Sequence, residues 1–98
     1  MEIIKKLNND ELTITLVGEL NSFTSQDLEK VVSNSLEGVK SLVFDFEKLS
    51  YISSAGLRIL LVSKKIMDKQ GKMVVRKANK DVIDIFEMTG FINILDFE

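Results

Sequence analysis

The sequence contains no cysteine and no histidine among its 98 residues. Without cysteine there is no disulfide, no thiolate metal ligand and no thiol nucleophile, and without histidine the usual imidazole base of catalysis is missing. A zinc site would have to use carboxylates alone. We therefore expect no catalytic residue and no metal site, and we predict that the protein is not an enzyme.

An excess of charge of one sign and long apolar runs are missing as well. The 13 basic and 15 acidic side chains leave a net charge of −2, without the basic stripe that is typical of nucleic-acid binding. No apolar run approaches the roughly 18–20 residues that a membrane span requires, and the first six residues are unlike a signal peptide. We expect a cytoplasmic protein with no nucleic-acid partner and no membrane insertion.

Proline is also absent, and no linker, low-complexity tract or internal repeat interrupts the chain. Apolar residues make up 45% of the sequence, which suffices for one compact core at this length. We therefore expect a single domain over residues 1–98. Nothing in the pattern indicates an oligomeric state.

Hydrophobic periodicity predicts the strands of this domain. Leu12, Ile14 and Leu16 alternate with polar residues, which indicates a strand with one buried face. A polar turn at residues 8–10 joins this strand to a preceding apolar segment, as in a hairpin. The predicted strands cover residues 2–7, 12–16, 42–46, 72–76 and 92–97.

Three helices are predicted from helical spacing of apolar residues and from glycines that end them. They run from Thr24 to Gly38, from Gly56 to Gln70, and from Asn79 or Lys80 to Gly90. Thr24 and Asp27 have the spacing of a capping box. The order β-β-α-β-α-β-α-β implies parallel crossovers, so the expected fold class is α/β, with a mixed four- to five-stranded sheet and helices packed on it.

The loop at residues 47–57 holds the candidate site, because it follows the central strand at the sheet edge where α/β proteins tend to place their sites. Ser53 and Ser54 lie where the second helix begins, and either could cap it. Ala55 and Gly56 are small enough for another surface to approach. A phosphate at this position would carry about −1.5 to −2 charges, and the helix N-terminus could accommodate it. Spacing alone favours a simple cap.

Two other chemistries find little support in the sequence. Ser54 lies at a strand-to-helix turn, but neither GxSxG nor SxxK surrounds it. Lys64 and Lys65 are roughly 15 Å further along the helix, too far for a Ser–Lys dyad. Lys72 follows a glycine, but no GxxxxGK[ST] phosphate loop precedes it. We therefore expect no cofactor.

The stretch Tyr51-Ile-Ser-Ser-Ala-Gly-Leu57 resembles the signature loop of the STAS domain family, in particular of bacterial anti-sigma factor antagonists. These carry Asp-Ser-Ser/Thr-Gly-Leu between a strand and a helix. Gly18-Glu-Leu-Asn21 is similar to the family's Gly-Glu-Leu-Asp element, and residues 85–91 match its last helix in kind and order. The resemblance covers nearly the whole chain and implies a STAS-like single domain.

The resemblance implies a mechanism termed partner switching, which regulates transcription. The unphosphorylated antagonist binds an anti-sigma factor that is also a serine kinase, and this frees the sigma factor. The kinase phosphorylates a loop serine and thereby releases the antagonist, and a metal-dependent serine phosphatase removes the phosphate. The alternative is a STAS module that is never phosphorylated and serves as a subunit of a transport or signalling assembly.

Alignment on Gly56-Leu57 places the phosphorylated serine of the family at Ser54. Ser53 then occupies the family's Asp position, Ala55 its second Ser/Thr, and Asn21 the position of another Asp. Ser53 remains a competing phosphate acceptor. The residues expected to contact the partner are Asn21, Ser22, Thr24, Ser53, Ala55, Gly56 and Arg58.

Overall fold

The computed structural model describes residues 1–98 and confirms an α/β fold with a mixed five-stranded sheet and three α-helices. The elements are β1 (Glu2–Asn8), β2 (Glu11–Leu20), α1 (Ser25–Ser35), β3 (Ser41–Asp45), β4 (Leu49–Ile52), α2 (Ser54–Asp68), β5 (Lys72–Arg76), α3 (Lys80–Thr89) and a final 3-10 turn (Phe91–Asn93). No helix has both the length and the apolar character that a membrane crossing needs.

Strand β2 is the central element of the sheet. One of its edges pairs with β1 in antiparallel register from Glu2↔Val17 to Asn8↔Glu11, which confirms the predicted hairpin. Its other edge has two parallel partners, because the first half pairs with β3 and the second half pairs with β4. The change of partner coincides with a register shift after Gly18, whose φ of +113° favours glycine. Strand β5 pairs with β3 in parallel.

A single cluster of 22 buried apolar residues forms the core. Leu12, Ile14 and Leu16 belong to it, as their alternation predicts. Phe46 lies between Phe44 and Phe86, with ring centroids 5.8 and 6.5 Å away, so the aromatic rings connect the end of β3 to α3. The core therefore lies beneath the loop that leads from β3 to α2.

Two strand predictions differ from the structure. Strand β4 was not predicted, because its residues Leu49 and Ile52 are buried while the two between them are exposed, which breaks the period of two. The predicted strand over residues 92–97 is wrong. The chain forms a 3-10 turn there, and only Phe97 makes a bridge, to Val75.

The helix ends agree with the sequence at α3, and Gly38 after α1 has the expected left-handed conformation with φ +79°. Asn79 caps α3 by accepting a hydrogen bond from Val82 N at 2.9 Å, and Gly90 ends it with φ +82°. Gly71 does not end α2 in a left-handed conformation. It is glycine for lack of space, because a Cβ there would lie 1.9 Å from the carbonyl oxygen of Lys40.

Candidate functional site

The turn from β4 into α2 is fixed by Ser53. Its backbone N–H donates to the Leu20 carbonyl at 2.8 Å, which ties the turn to the end of β2. With φ −92° and ψ 174° it has the extended conformation of an N-cap, and its hydroxyl accepts a hydrogen bond from Gly56 N at 3.3 Å. Ser53 is therefore the residue that caps α2.

Ser54 is the first residue of α2, and its side chain is exposed. The two adjacent serines thus have different environments, since Ser53 is half-buried with its hydroxyl engaged in the cap. The first N–H groups of a helix have no acceptor within the helix, so Ser54 lies where backbone donors and the positive end of the dipole favour an anion.

The two small residues after Ser54 have separate roles. Ala55 is half-buried, whereas Gly56 is buried and faces the core. A Cβ on Gly56 would lie 2.8 Å from Leu20 Cγ and 2.9 Å from Ile52 Cγ1. The absence of a side chain at Gly56 is therefore required by packing of α2 onto the ends of β2 and β4.

The start of α1 is held by Asn21, and the predicted capping box is wrong. Thr24 has helical backbone angles and its side chain makes no cap hydrogen bond. Instead, Asn21 Oδ1 accepts hydrogen bonds from the backbone N–H groups of Phe23 and Thr24, both at 2.9 Å. An Asn side chain supplies this acceptor without the negative charge that an Asp would carry.

Thr24 and Ser25 connect this turn to the strand before it. The Thr24 hydroxyl accepts from Asn21 N at 2.9 Å and donates to the Glu19 carbonyl at 2.8 Å. The buried Ser25 hydroxyl donates to the Asn21 carbonyl at 2.5 Å. The segment of residues 19–25 is therefore rigid, apart from its exposed side chains.

Arg58 joins the two helices at the site. Both of its terminal guanidinium nitrogens lie 3.4 Å from Glu29 Oε2 on α1. The two side chains are 58% and 49% exposed, so this pair contributes little to stability. Arg58 is one helical turn after Ser54, on the same side of α2.

The structure brings the predicted site residues together in two segments. Asn21, Ser22 and Thr24 lie in the loop after β2, and the other four lie in the first turns of α2. The Leu20–Ser53 hydrogen bond and the Glu29–Arg58 pair join these segments. Ser22 is exposed.

Sequence reasoning missed Phe23, which is 73% exposed within the same loop. Phe23 falls between Ser22 and Thr24, which are both predicted to contact the partner. Its position between them could have indicated that Phe23 belongs to the same surface. Met88, on α3, is 83% exposed as well.

The electrostatics of α2 do not supply a base for Ser54. Lys64 Nζ donates to Asp68 Oδ1 at 2.6 Å. That hydrogen bond raises the pKa of Lys64 above its ordinary value and keeps the amine protonated. A protonated amine cannot accept the proton of a serine hydroxyl.

The amino-acid sequence is similar to a known protein family and to individual proteins. Residues 2–98 match the family model described as the STAS domain. BtrV of Bordetella bronchiseptica, described as a candidate anti-sigma factor antagonist, is 38% identical over 85 residues, which span 85% of this chain and 73% of BtrV. The anti-sigma-B factor antagonist of Bacillus subtilis is 27% identical over 93 residues, spanning 93% of this chain and 84% of that protein.

Solved structures share the fold at low sequence identity. The anti-sigma factor antagonist SpoIIAA in its unphosphorylated form matches with a TM-score of 0.78 and 16% identity, over 99% of this chain and 87% of SpoIIAA. The Bacillus cell fate determinant SpoIIAA in its phosphorylated form matches with a TM-score of 0.77 and 17% identity, over 99% and 91% of the two chains.

Proposed function

The chain belongs to the STAS domain family, and we propose that it acts as an anti-sigma factor antagonist by partner switching. The unphosphorylated protein binds an anti-sigma factor that is also a serine kinase, and phosphorylation of Ser54 releases it. A metal-dependent serine phosphatase restores the binding form. The names of the two curated relatives support the general function. The observation that carries the switch is the exposed Ser54 at the first position of α2.

The different environments of the two serines favour Ser54 over Ser53 as the phosphate acceptor. Phosphorylation of Ser53 would remove its hydroxyl from the hydrogen bond with Gly56 N and would disturb the cap of α2. The exposed Ser54 hydroxyl can enter a kinase active site without unfolding the turn. Ser53 therefore serves as the structural cap of α2, and Ser54 serves as the phosphate acceptor.

The transfer adds charge without disturbing the core. The Ser54 oxygen forms a bond to the γ-phosphorus of ATP, the bond to the ADP oxygen breaks, and the hydroxyl proton is lost. The product carries about −1.5 to −2 charges at neutral pH. The N-terminus of α2 stabilises this charge, and Arg58 lies one turn away to pair with it. The fold tolerates the phosphate, whereas a partner surface packed against Ser54 does not.

The protein acts by binding and not by catalysis. Lys64 and Lys65 lie roughly 15 Å from Ser54 along α2, which is too far for either amine to act as its general base. The absence of the family's Asp at position 21 does not remove the local structure, because Asn21 Oδ1 makes the two cap hydrogen bonds. The local structure at the start of α1 is therefore kept although the carboxylate at position 21 is missing.

Phosphorylation by a candidate anti-sigma factor serine kinase tests the proposal. Incubation of the full chain with this kinase and ATP, followed by intact-protein and peptide mass spectrometry, should show one phosphate on Ser54. Ser54→Ala should abolish it, and the matched variant Ser53→Ala should retain it. Ser54→Asp should weaken binding to the kinase.

Two results would contradict the proposal. The first is a stable complex that Ser54→Asp leaves unchanged and in which no phosphate is transferred, which would favour an unphosphorylated STAS subunit of a larger assembly. The second is phosphorylation that persists in Ser54→Ala and disappears in Ser53→Ala, which would move the switch to the capping serine.

A further inference from the structure

Phe23 is an exposed aromatic side chain on a rigid loop. It is 73% exposed, although Phe is usually among the buried residue types. Its backbone N–H donates to Asn21 Oδ1 at 2.9 Å, and its carbonyl accepts from Gln26 N at 3.3 Å. Because the backbone is held on both sides, less backbone entropy is lost when a partner binds the ring.

Phe23 is linked through the chain to the turn before the candidate phosphorylation site. It is three residues after Leu20, whose carbonyl accepts the hydrogen bond from Ser53 N at 2.8 Å. A protein interface of ordinary size buries about 800 Å² on each partner. A partner that covers Ser54 therefore extends over the loop that carries Phe23.

Two acidic residues near Phe23 in the sequence take part in no ion pair. Glu19 and Asp27 are both exposed, and neither takes part in any of the ion pairs of the structure. Asp27 is one helical turn after Phe23, and the backbone of Glu19 is bonded to Thr24. By contrast, Glu29 further along α1 is paired with Arg58. Glu19 and Asp27 are thus unpaired acidic residues four positions before and four positions after Phe23.

We infer that Phe23 is the apolar anchor of the partner-binding surface, and that it enters a partner pocket bordered by Lys or Arg side chains. The anchor patch is defined by Phe23, Glu19 and Asp27. This inference rests on the proposed function and adds the anchor and the chemistry of the surface it fits. Buried aromatic side chains dominate the binding energy of many interfaces, and complementary charge accelerates association. The two carboxylates repel the phosphates of membranes and nucleic acids, so the occupant is a protein.

Binding of the full chain to the kinase that phosphorylates Ser54, measured by isothermal titration calorimetry, tests the anchor. Phe23→Ala should weaken binding by about 30-fold or more, as expected for an interface hot spot. Its KM as a kinase substrate should rise while kcat stays the same, since Ser54 is untouched. Leu7→Ala is the matched control, because Leu7 is 63% exposed and pairs with Leu12 at the other end of β2, roughly 26 Å from Leu20.

The carboxylates are tested by association kinetics. The double variant Glu19→Gln and Asp27→Asn should associate with the kinase about tenfold more slowly at low salt, and its association rate should depend less on salt concentration. Glu37→Gln is the matched control, because Glu37 is an exposed acidic residue beyond the far end of α1. Circular dichroism of each variant checks that the fold is retained.

The outcomes separate the anchor from the proposed function. If the wild-type chain is phosphorylated on Ser54 and Phe23→Ala binds with the wild-type affinity, the inference is overturned and the proposed function stands. If Phe23→Ala dissolves a dimer of this chain without weakening kinase binding, the ring serves a second copy and the inference is also overturned. A wild-type chain that neither binds the kinase nor accepts phosphate overturns both.

Discussion

The first turns of α1 and α2 meet at the same edge of the sheet, but they are built by different forces. Asn21 and Thr24 hold the start of α1 through a set of side-chain hydrogen bonds with lengths of 2.8–2.9 Å. The start of α2 has one side-chain cap bond of 3.3 Å, and the burial of Gly56 against Leu20 does most of the positioning. Because packing of Gly56 against the core holds the start of α2, the exposed Ser54 hydroxyl is not needed for that purpose and is available for phosphorylation.

The largest expected effect comes from filling the space under α2. Gly56→Val places methyl groups against Leu20 and Ile52, which already approach a Cβ at 2.8–2.9 Å. Overpacking of this kind costs about 3 kcal/mol, and we expect a loss of that size in the free energy of unfolding. Urea denaturation measures it, with Gly56→Ala as a milder control. An unchanged midpoint for both variants would show that packing does not position α2.

The next effect tests the hydrogen-bonded start of α1. Asn21→Ala removes the acceptor of two backbone N–H groups, so we expect a loss of about 1–2 kcal/mol in the free energy of unfolding. Asn21→Asp should recover most of this stability, because a carboxylate supplies the same acceptor and suits the helix N-terminus. Equal destabilisation by both variants would mean that the side-chain amide group, and not the shared acceptor, holds the turn.

A smaller difference should separate the two adjacent serines. Ser53→Ala loses the cap bond to Gly56 N and should destabilise the protein by about 1 kcal/mol. Ser54→Ala should change the free energy of unfolding by less than about 0.5 kcal/mol, as is usual for an exposed position. Thermal unfolding of the pair measures the difference. A reversed order would assign the cap to Ser54.

The smallest effect concerns the link between the two helices. Arg58→Ala should cost less than about 0.5 kcal/mol, because the Glu29–Arg58 pair is exposed and its atoms are 3.4 Å apart. A double-mutant cycle with Glu29→Ala should give a coupling energy of similar size that falls as salt is added. In the protein phosphorylated on Ser54, Arg58→Ala should cost more, since Arg58 then lies one turn from the phosphate. If Arg58→Ala lowers the free energy of unfolding equally with and without the phosphate, Arg58 does not interact with the phosphate on Ser54.

Much of the fold follows from patterns that the sequence displays directly. Leu12, Ile14 and Leu16 alternate and are buried, and Asn79 and Gly90 mark the ends of α3 because their local chemistry suits those positions. The missed strand β4 is four residues long and has no period of two. Its place in the sheet depends on β2, which changes partner after Gly18, and no local pattern reports such a pairing.

The candidate site was located from the sequence, but its internal roles were not. Ser53 and Ser54 are both suitable caps, and only the backbone conformation shows that Ser53 makes the bond. Asn21 and Thr24 are likewise both cap residues, and the turn between them places Asn21 Oδ1 next to the free N–H groups. The exposure of Phe23 follows from the path of this loop, which hydrophobic periodicity does not describe.

The exchange of partners along β2 divides the sheet into two units that can open separately. From Glu11 to Thr15 the strand is covered by β1 and β3, whereas from Gly18 to Leu20 it is paired with the short β4. Deuterium should therefore enter the amides around Leu20 and Ser53 well before those of Ile14 and Phe44. Local opening at the Ser54 end would leave the rest of the sheet intact.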